Sequence, residues 1–283
     1  MATLVARRAR TLFVKYCTHP ARFFRLWLLT ACLAHAVAAR AQVWISEILF
    51  NPPGNDAPNE YVELRGTPNL TLAAGTYFLA VNGESNNNPG TIINVIDLSG
   101  RRIGGNGFLL LLPNSNTYSA SLGATVLSNT NGPGFGTASG STINHRGKNG
   151  QTDLEGASVT FLLLQSVNAP ALGADIDGDD DGLPDGATFA SWNILDSVAA
   201  LDNHGGGDIG YGRINFRRAS PPGNGATVAS GTIVPVDFTP QYVARSGHTT
   251  NWAAASWVAG DSLAGTAPNW SLHSSATVPL GFW

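Results

Sequence analysis

The sequence predicts an all-β protein of the sandwich or barrel type. Short runs of β-branched and aromatic residues recur between turn-rich stretches, a spacing that is typical of these folds. Turn residues are abundant, with 33 glycines and 16 prolines among the 283 residues. No window sustains helical periodicity over three turns, so we expect hardly any helix after residue 42.

Six strands are predicted in the first part of the chain. In the second of them, Val62 and Leu64 are placed to face the core. Tyr61, Glu63 and Arg65 then face outward, which is the period-two pattern of a half-buried strand. The six predicted strands are 43–50, 60–65, 76–81, 94–98, 108–112 and 159–164.

Two uninterrupted apolar runs, at 109–112 and 162–164, predict central strands that are covered on both faces. The segments 82–90 and 128–150 are long, polar and rich in glycine and asparagine, so we expect them to be surface loops.

The composition shifts at 171–186, which separates a first region, 42–170, from a second region, 171–283. No linker rich in serine and proline interrupts the chain there, so we expect the second region to complete the same domain. Its predicted strands are 189–198, 209–216, 241–245 and 256–259.

Residues 1–41 have the pattern of a secretion signal peptide. Basic residues come first, an apolar run follows at 26–38, and Ala39-Arg40-Ala41 is a cleavage site of the A-x-A kind. The apolar run is shorter than the ~20 residues that a membrane-spanning helix needs. Leu29-Thr30-Ala31-Cys32 also resembles a lipoprotein cleavage box, but little apolar core would then precede it. We therefore expect a secreted protein, cut after Ala41, that has no membrane span.

Removal of this leader changes the charge. The chain has 16 Lys+Arg and 19 Asp+Glu, and the leader holds seven of the basic residues and none of the acidic ones. The mature chain then has 9 against 19, a formal net charge of −10. Such a surface repels phosphate backbones, so nucleic-acid binding is not expected. Both cysteines, Cys17 and Cys32, lie in the leader, so no disulfide stabilises the mature protein.

Three motifs follow one another in the first region: Ile-Ser-Glu-Ile-x-x-Asn-Pro at 45–52, Glu-Tyr-Val-Glu-Leu at 60–64 and Asp-Leu-Ser-Gly at 97–100. In this order they resemble the lamin-tail domain as bacterial secreted proteins carry it. The resemblance implies an immunoglobulin-like β-sandwich, extended here by additional C-terminal strands. It also implies a non-catalytic structural or interaction module, whose partner would be an extracellular protein or a polysaccharide.

An aspartate-rich segment at 175–185 is the strongest chemical signal, with six aspartates in eleven residues. Carboxylates at alternate positions, followed by a turn-forming glycine, can converge on one hard cation, and calcium takes six to eight such oxygens. The pattern resembles the calcium loops of thrombospondin type 3 repeats. The predicted ligands of a structural Ca²⁺ ion are Asp175, Asp177, Asp179, Asp181 and Asp185.

The alternative for this segment is a solvated acidic loop with no ion, in which the like charges repel one another. The alternation and the placed Gly182 favour calcium. Asp180 breaks the alternation, so we expect it to point outward, and Asp196 on the next predicted strand is a further candidate ligand. An EF-hand would need a glutamate where Thr188 stands, so that motif is incomplete.

No convincing catalytic set is present, and we expect no enzymatic activity. The histidines after the leader show no metal-ligand spacing and are interpreted as surface residues; they are His145, His204, His248 and His273. Gly-Asp-Ser-Leu at 260–263 matches the motif that names the GDSL hydrolases, so Ser262 is the nucleophile of an alternative, cryptic hydrolase. That family has an α/β domain, which the β-rich pattern here does not favour.

Tryptophans are concentrated in the last third of the chain and offer another alternative, a carbohydrate-binding module. Aromatic rings can stack on sugar rings, although most tryptophans in such positions pack into a core. The residues concerned are Trp252, Trp257, Trp270 and Trp283.

Overall fold

The structure is a computed structural model, and it describes residues 43–154, 156–204, 206–219, 231–247 and 249–261. Thirteen strands and two short helices lie in these ranges. The strands are β1 (Val43–Leu49), β2 (Tyr61–Gly66), β3 (Thr76–Asn82), β4 (Ile92–Asp97), β5 (Phe108–Leu112), β6 (Thr125–Ser128), β7 (His145–Gly147), β8 (Val159–Gln165), β9 (Asn193–Leu201), β10 (Ile214–Arg218), β11 (Thr232–Val236), β12 (Tyr242–Arg245) and β13 (Trp257–Gly260). The helices are α1 (Asp56–Asn59) and α2 (Gly186–Ala190), and 3-10 turns cover Lys148–Gly150 and Ala254–Ser256.

The strands form two sheets. The first sheet has the order β13-β12-β1-β2-β5-β6, and the second has the order β11-β10-β9-β8-β3-β4-β7. Most neighbours are antiparallel, whereas β5 and β6, β9 and β10, and β10 and β11 are parallel. Strands from the second region of the chain enter both sheets, because β12 pairs with β1 and β9 pairs with β8.

The two sheets share one hydrophobic core, called the main core below. Most strands contribute side chains to it, as Val62 and Leu64 do in β2 and Phe161 and Leu163 do in β8. The ring of Phe50, which follows β1, lies 5.3 Å from that of Phe161 in the other sheet. Burying one such side chain stabilises the fold by about 1.5–3 kcal/mol.

The outer face of each sheet is also covered by apolar side chains. The outer cluster of the second sheet contains Tyr77, Leu79, Val81, Ile92, Val95, Leu162, Leu164, Ile176, Trp192, Ile209 and Tyr211. The outer cluster of the first sheet contains Leu49, Tyr61, Leu110, Leu112, Tyr242 and Ala244. Both sheets are therefore buried on two sides over much of their area.

The burial of the outer faces corrects one expectation. Val62 and Leu64 face the main core as predicted, but strand β2 is not half-buried, because Tyr61, Glu63 and Arg65 are buried too. Tyr118, from the loop after β5, packs edge-on against Tyr61 with ring centroids 5.0 Å apart. A loop therefore covers the face that the sequence assigned to solvent.

The predicted strands of the first region are confirmed to within two residues at each end, as is the scarcity of helix. The runs at 109–112 and 162–164 are buried on both faces, as expected. In the second region the prediction was less accurate. Helix α2 occupies the start of the predicted strand 189–198, and β10 begins only at Ile214, within the predicted strand 209–216. The edge strands β6, β7 and β11 were not predicted.

Candidate metal centre

The aspartate-rich segment lies across the outer face of the second sheet. Ile176 is buried in the outer cluster of that sheet, and its backbone N–H donates to the carbonyl of Gly90 at 3.1 Å. Asp175 forms an isolated bridge with Thr91, the residue before β4. The loop is closed on itself by the N–H of Asp185, which donates to the carbonyl of Ile176 at 2.6 Å.

The close approach of the loop to the sheet depends on Gly90, whose φ is +85°. A Cβ at this position would lie 2.5 Å from Oδ1 of Asp175 and 3.0 Å from the backbone nitrogen of Asp177. Both the left-handed backbone and the lack of space therefore require glycine here.

Three carboxylates converge in this loop. Asp177, Asp179 and Asp181 each offer an oxygen, and these oxygens lie within 4.8 Å of one another. Asp177 is fully buried, whereas Asp179 and Asp181 are exposed. The group therefore has one anchored carboxylate at its base and two at the surface, an arrangement that can accept a cation from solvent.

Asp177 is held in place by several donors. Its Oδ2 accepts from the N–H of Gly182 at 2.9 Å and from the hydroxyl of Tyr211 at 2.8 Å, and its Oδ1 accepts from the N–H of Asp181 at 3.2 Å. Burial, followed by the hydrogen bond to Asp177, raises the pKa of Tyr211 well above its ordinary value, so its hydroxyl remains a donor. These contacts fix the orientation of the Asp177 carboxylate.

The other two of the five predicted ligands, Asp175 and Asp185, accept hydrogen bonds from the backbone of the loop. Oδ1 of Asp175 accepts from the N–H of Asp177 at 2.9 Å, and Oδ1 of Asp185 accepts from the N–H of Gly178 at 3.4 Å. Asp180, predicted to point outward, is exposed and has a φ of 56°. Desolvation, followed by the charges of Asp175, Asp177 and Asp179, raises its pKa.

Asp196 is not part of this group, which corrects the expectation that it could serve as a further ligand. It is buried between the sheets, where its Oδ2 lies 2.7 Å from Nη2 of Arg245. The same oxygen accepts from the N–H of Ile45 at 2.9 Å. Its charge is therefore used in a structural ion pair.

A second acidic group was missed by the sequence reasoning. Oxygens of Glu84, Asp202 and Asp208 lie within 4.8 Å of one another. Ser158 connects them, because its N–H donates to Glu84 at 2.8 Å and its hydroxyl lies 2.5 Å from Oδ2 of Asp208. Burial raises the pKa of Glu84 and of Asp208, and the neighbouring carboxylates add to the rise. Asp202 and Asp208 lie in one short segment, but Glu84 comes from a distant part of the chain, so no local spacing signals this group.

Apart from these two groups, Glu47 of the first motif is an acid that is fully buried on the outer face of the first sheet. The hydroxyl of Tyr61 donates to its Oε1, and the phenol of Tyr242 also influences its pKa. Desolvation raises the pKa of Glu47 to about 7, although both tyrosines act to lower it. The motif residues Glu47 and Tyr61 thus form one buried polar contact between β1 and β2.

The residues of the alternative functions are only partly within the described ranges. Ser262 lies outside them, as do His248 and His273. His204 is exposed, as expected of a surface histidine. His145 is not, which corrects the prediction for that residue: it is buried, and its ring nitrogens lie 2.6 Å from the carbonyl of Gly136 and 2.6 Å from Oδ1 of Asn94.

The tryptophans are likewise divided. Trp257 is buried in the main core beneath the guanidinium of Arg245. Trp252 is 47% exposed, and the guanidinium of Arg213 lies 3.4 Å from its ring centroid. Trp270 and Trp283 lie outside the described residues. Of the two tryptophans described here, only Trp252 offers its ring to solvent.

No protein-family model, curated protein or solved structure matches the chain. Within the described ranges, no helix has both the length and the apolar character needed to cross a membrane. The function is therefore inferred from the geometry and the sequence motifs.

Proposed function

We propose that the chain is a secreted, non-catalytic structural or interaction module that a calcium ion stabilises at Asp177, Asp179 and Asp181. The observation that carries this proposal is the buried carboxylate of Asp177, oriented by Tyr211 and the loop backbone so that it converges with the two exposed carboxylates.

The ion supplies the charge balance that this loop lacks. Six carboxylates fall within 175–185, and no basic residue lies in that segment. A divalent cation would reverse the mutual repulsion and so favour the closed loop. Calcium suits the site better than magnesium, because it accepts irregular sets of carboxylate and carbonyl oxygens, whereas magnesium demands a tight octahedron.

The benefit to the fold comes through the apolar side chains that flank the aspartates. Ile176 belongs to the outer cluster of the second sheet, and Leu172, Ala174 and Phe189 pack against it. Closing the loop around an ion keeps these side chains on the sheet. This role suits a mature chain whose cysteines are removed with the leader.

We further propose that the fold is an immunoglobulin-like sandwich of the lamin-tail type, extended by the strands of the second region. The three motifs that carry the resemblance fall on β1, on β2 and at the end of β4. Their polar residues have structural partners: Glu47 accepts from Tyr61, and Glu60 accepts from the N–H of Leu154 at 2.9 Å. Acids that stabilise strands in this way support a module without catalytic function.

Export and the class of partner belong to the same proposal. The leader at 1–41 lies outside the described residues, and its pattern supports secretion with cleavage after Ala41. Mass spectrometry of the exported protein should find Gln42 at the N-terminus. Lipid on Cys32 or an intact leader would contradict this. The partner would be an extracellular protein or a polysaccharide, since the net charge of −10 disfavours nucleic acid.

Isothermal titration of the mature chain tests the metal site. We expect one calcium ion to bind per chain, with magnesium binding far more weakly. Asp177→Asn should abolish binding, because it removes the anchored charge. Asp202→Asn is the matched control, since it removes one charge from the other acidic group. Loss of calcium binding in the control but not in Asp177→Asn would move the site to that group and overturn the assignment.

A further inference from the structure

The outer face of the first sheet is buried more completely than the described residues account for. The six side chains of its outer cluster are at most 3% exposed. Within the described ranges, the apolar side chains that pack against this cluster are Tyr118, Ala124 and Val258. Val258 belongs to β13 of the same sheet, and the other two lie on the loop between β5 and β6.

This loop covers one side of the face. Tyr118 packs on Tyr61 of β2, whereas Tyr242 lies in β12, two strands away. On its other side, the register partner of Tyr242 in β13 is Gly260, which has no side chain to shield the ring. Tyr242 is nevertheless fully buried. Another part of the chain is therefore needed over this side of the face.

Three longer segments of the chain lie outside the described ranges, at 1–42, 220–230 and 262–283. The first contains the leader, which the mature chain lacks under the proposal above. The second connects β10 to β11 within the other sheet. The third follows directly on β13, at the edge of the sheet whose face needs the cover.

The third segment is long enough to cross the whole face. It contains the 22 residues that follow Asp261. A chain of this length extends over at most about 75 Å. The five strand spacings from β13 to β6 amount to about 24 Å.

The composition of 262–283 suits an apolar face. The segment contains no Asp, Glu, Lys or Arg, so docking it removes no full charge from water. Seven of its 22 residues are large and apolar, namely Leu263, Trp270, Leu272, Val278, Leu280, Phe282 and Trp283.

The acids at the centre of the face also favour an uncharged cover. Glu47 and Glu63 are both buried and lie directly opposite each other in β1 and β2, so their side chains share one face. A covering segment with negative charge would be repelled there, whereas backbone, hydroxyl and indole donors can bind a carboxylate. A second copy of the chain is disfavoured as the cover, because each mature chain has a net charge of −10.

We propose that residues 262–283 dock across the outer face of the first sheet and cover Tyr242 and Ala244. This inference goes beyond the proposed function and does not depend on calcium. It also bears on the carbohydrate-binding alternative. Trp270 then packs against the sheet and is not available to stack on sugar rings.

Hydroxyl-radical footprinting of the mature chain, analysed by mass spectrometry, tests whether the segment is docked. Trp252 is exposed and Trp257 is buried, so these two residues calibrate the rate of oxidation. We expect Trp270, in the middle of the segment, to be oxidised several-fold more slowly than Trp252. Oxidation of Trp270 as fast as that of Trp252 would overturn the proposal.

A chain that ends at Asp261 tests which surface the segment covers. Its Tyr242 should be oxidised several-fold faster than in the mature chain, whereas Tyr77 on the outer face of the second sheet should be unchanged. A synthetic peptide of residues 262–283 should restore the protection, and a scrambled peptide of the same composition is the matched control. Unchanged oxidation of Tyr242 in the shortened chain would contradict the docking, and a doubled mass in light scattering would then assign the face to a second copy.

If the shortened chain does not fold, photo-crosslinking of the full mature chain decides the question. The photoreactive residue p-benzoylphenylalanine replaces Tyr118, which lies over the face. We expect cross-links to residues 262–283 from this position. The control places the same photoreactive residue at Leu183, which is exposed in the aspartate-rich segment and should give no such links. Absence of links from position 118, or equal links from both positions, would overturn the proposal.

Discussion

Arg245 and Asp196 form a buried ion pair that joins the two sheets, with Nη2 of the arginine 2.7 Å from Oδ2 of the aspartate. Arg245 lies in β12 of the first sheet, and Asp196 lies in β9 of the second. Both side chains also bind the backbone of Ile45. Nε of Arg245 donates to the carbonyl of Ile45 at 2.9 Å, and the N–H of Ile45 donates to Asp196. The pair thus fastens β1, β9 and β12 to one another.

Loss of one partner should be more damaging than loss of both. Arg245→Met leaves the buried charge of Asp196 uncompensated, and we expect it to lower the free energy of unfolding by about 3–5 kcal/mol. The double variant Arg245→Met with Asp196→Asn should recover part of that loss. Urea unfolding of the single and double variants measures the coupling. A single variant within about 1 kcal/mol of the unaltered chain would show that the pair contributes little.

Stability should fall as the pH rises through the range in which Glu47 titrates. Burial raises the pKa of Glu47 in the folded state from 4.5 to about 7. Between these values the folded state binds a proton that the unfolded state has lost, so the free energy of unfolding decreases with rising pH and levels off above 7. The total change is about 3 kcal/mol, from 1.36 kcal/mol per pKa unit.

Glu47→Gln should remove most of this decrease and should be more stable than the unaltered chain at pH 8. Urea unfolding at pH 5 and at pH 8 measures the change in the free energy of unfolding for both proteins. Asp237→Asn is the control, because it alters an exposed acid away from Glu47. This variant should keep the decrease in stability with rising pH. A Glu47→Gln variant with the same pH dependence as the unaltered chain would contradict the role assigned to this residue.

Gly90→Ala should destabilise the protein more than Gly100→Ala does. Both glycines have positive φ, so both substitutions carry a backbone cost of roughly 1–2 kcal/mol. Only at Gly90 would the new methyl group also collide with Asp175 and with the backbone of Asp177, since nothing lies within 4 Å of the corresponding position at Gly100. Thermal unfolding compares the two. Equal losses would show that the loop does not press against Gly90.

Local sequence signals account for much of the strand pattern. Alternation in β2 and continuous apolar runs in β5 and β8 are properties of neighbouring residues, and the structure places these segments as expected. The strands that were not predicted are short edge strands. One of them, β11, contains Pro235, and a proline within a run argues against assigning a strand there. Their pairing depends on strands elsewhere in the chain.

Long-range packing explains the remaining differences. The outer face of β2 looks polar in sequence, but Tyr118 covers Tyr61 from a loop nearly sixty residues away. The aspartate loop could be predicted because its carboxylates follow one another. The group of Glu84, Asp202 and Asp208 could not, because folding alone brings Glu84 to the two aspartates. The use of Asp196 in an ion pair likewise depends on Arg245, 49 residues later.

Thermal unfolding of the mature chain with calcium and with chelator tests the central claim most directly. An ion bound only by the folded state stabilises it by about 2.7 kcal/mol at a hundredfold excess over Kd. At roughly 2–4 °C per kcal/mol for a chain of this size, saturating calcium should raise Tm by several degrees, and chelator should reverse the rise. The paired Asp179→Ala and Asp181→Ala variant should fold without calcium and show no response to it. If the unaltered chain melts at the same temperature in millimolar calcium and in chelator, the loop is an acidic surface feature and the proposed calcium site is contradicted.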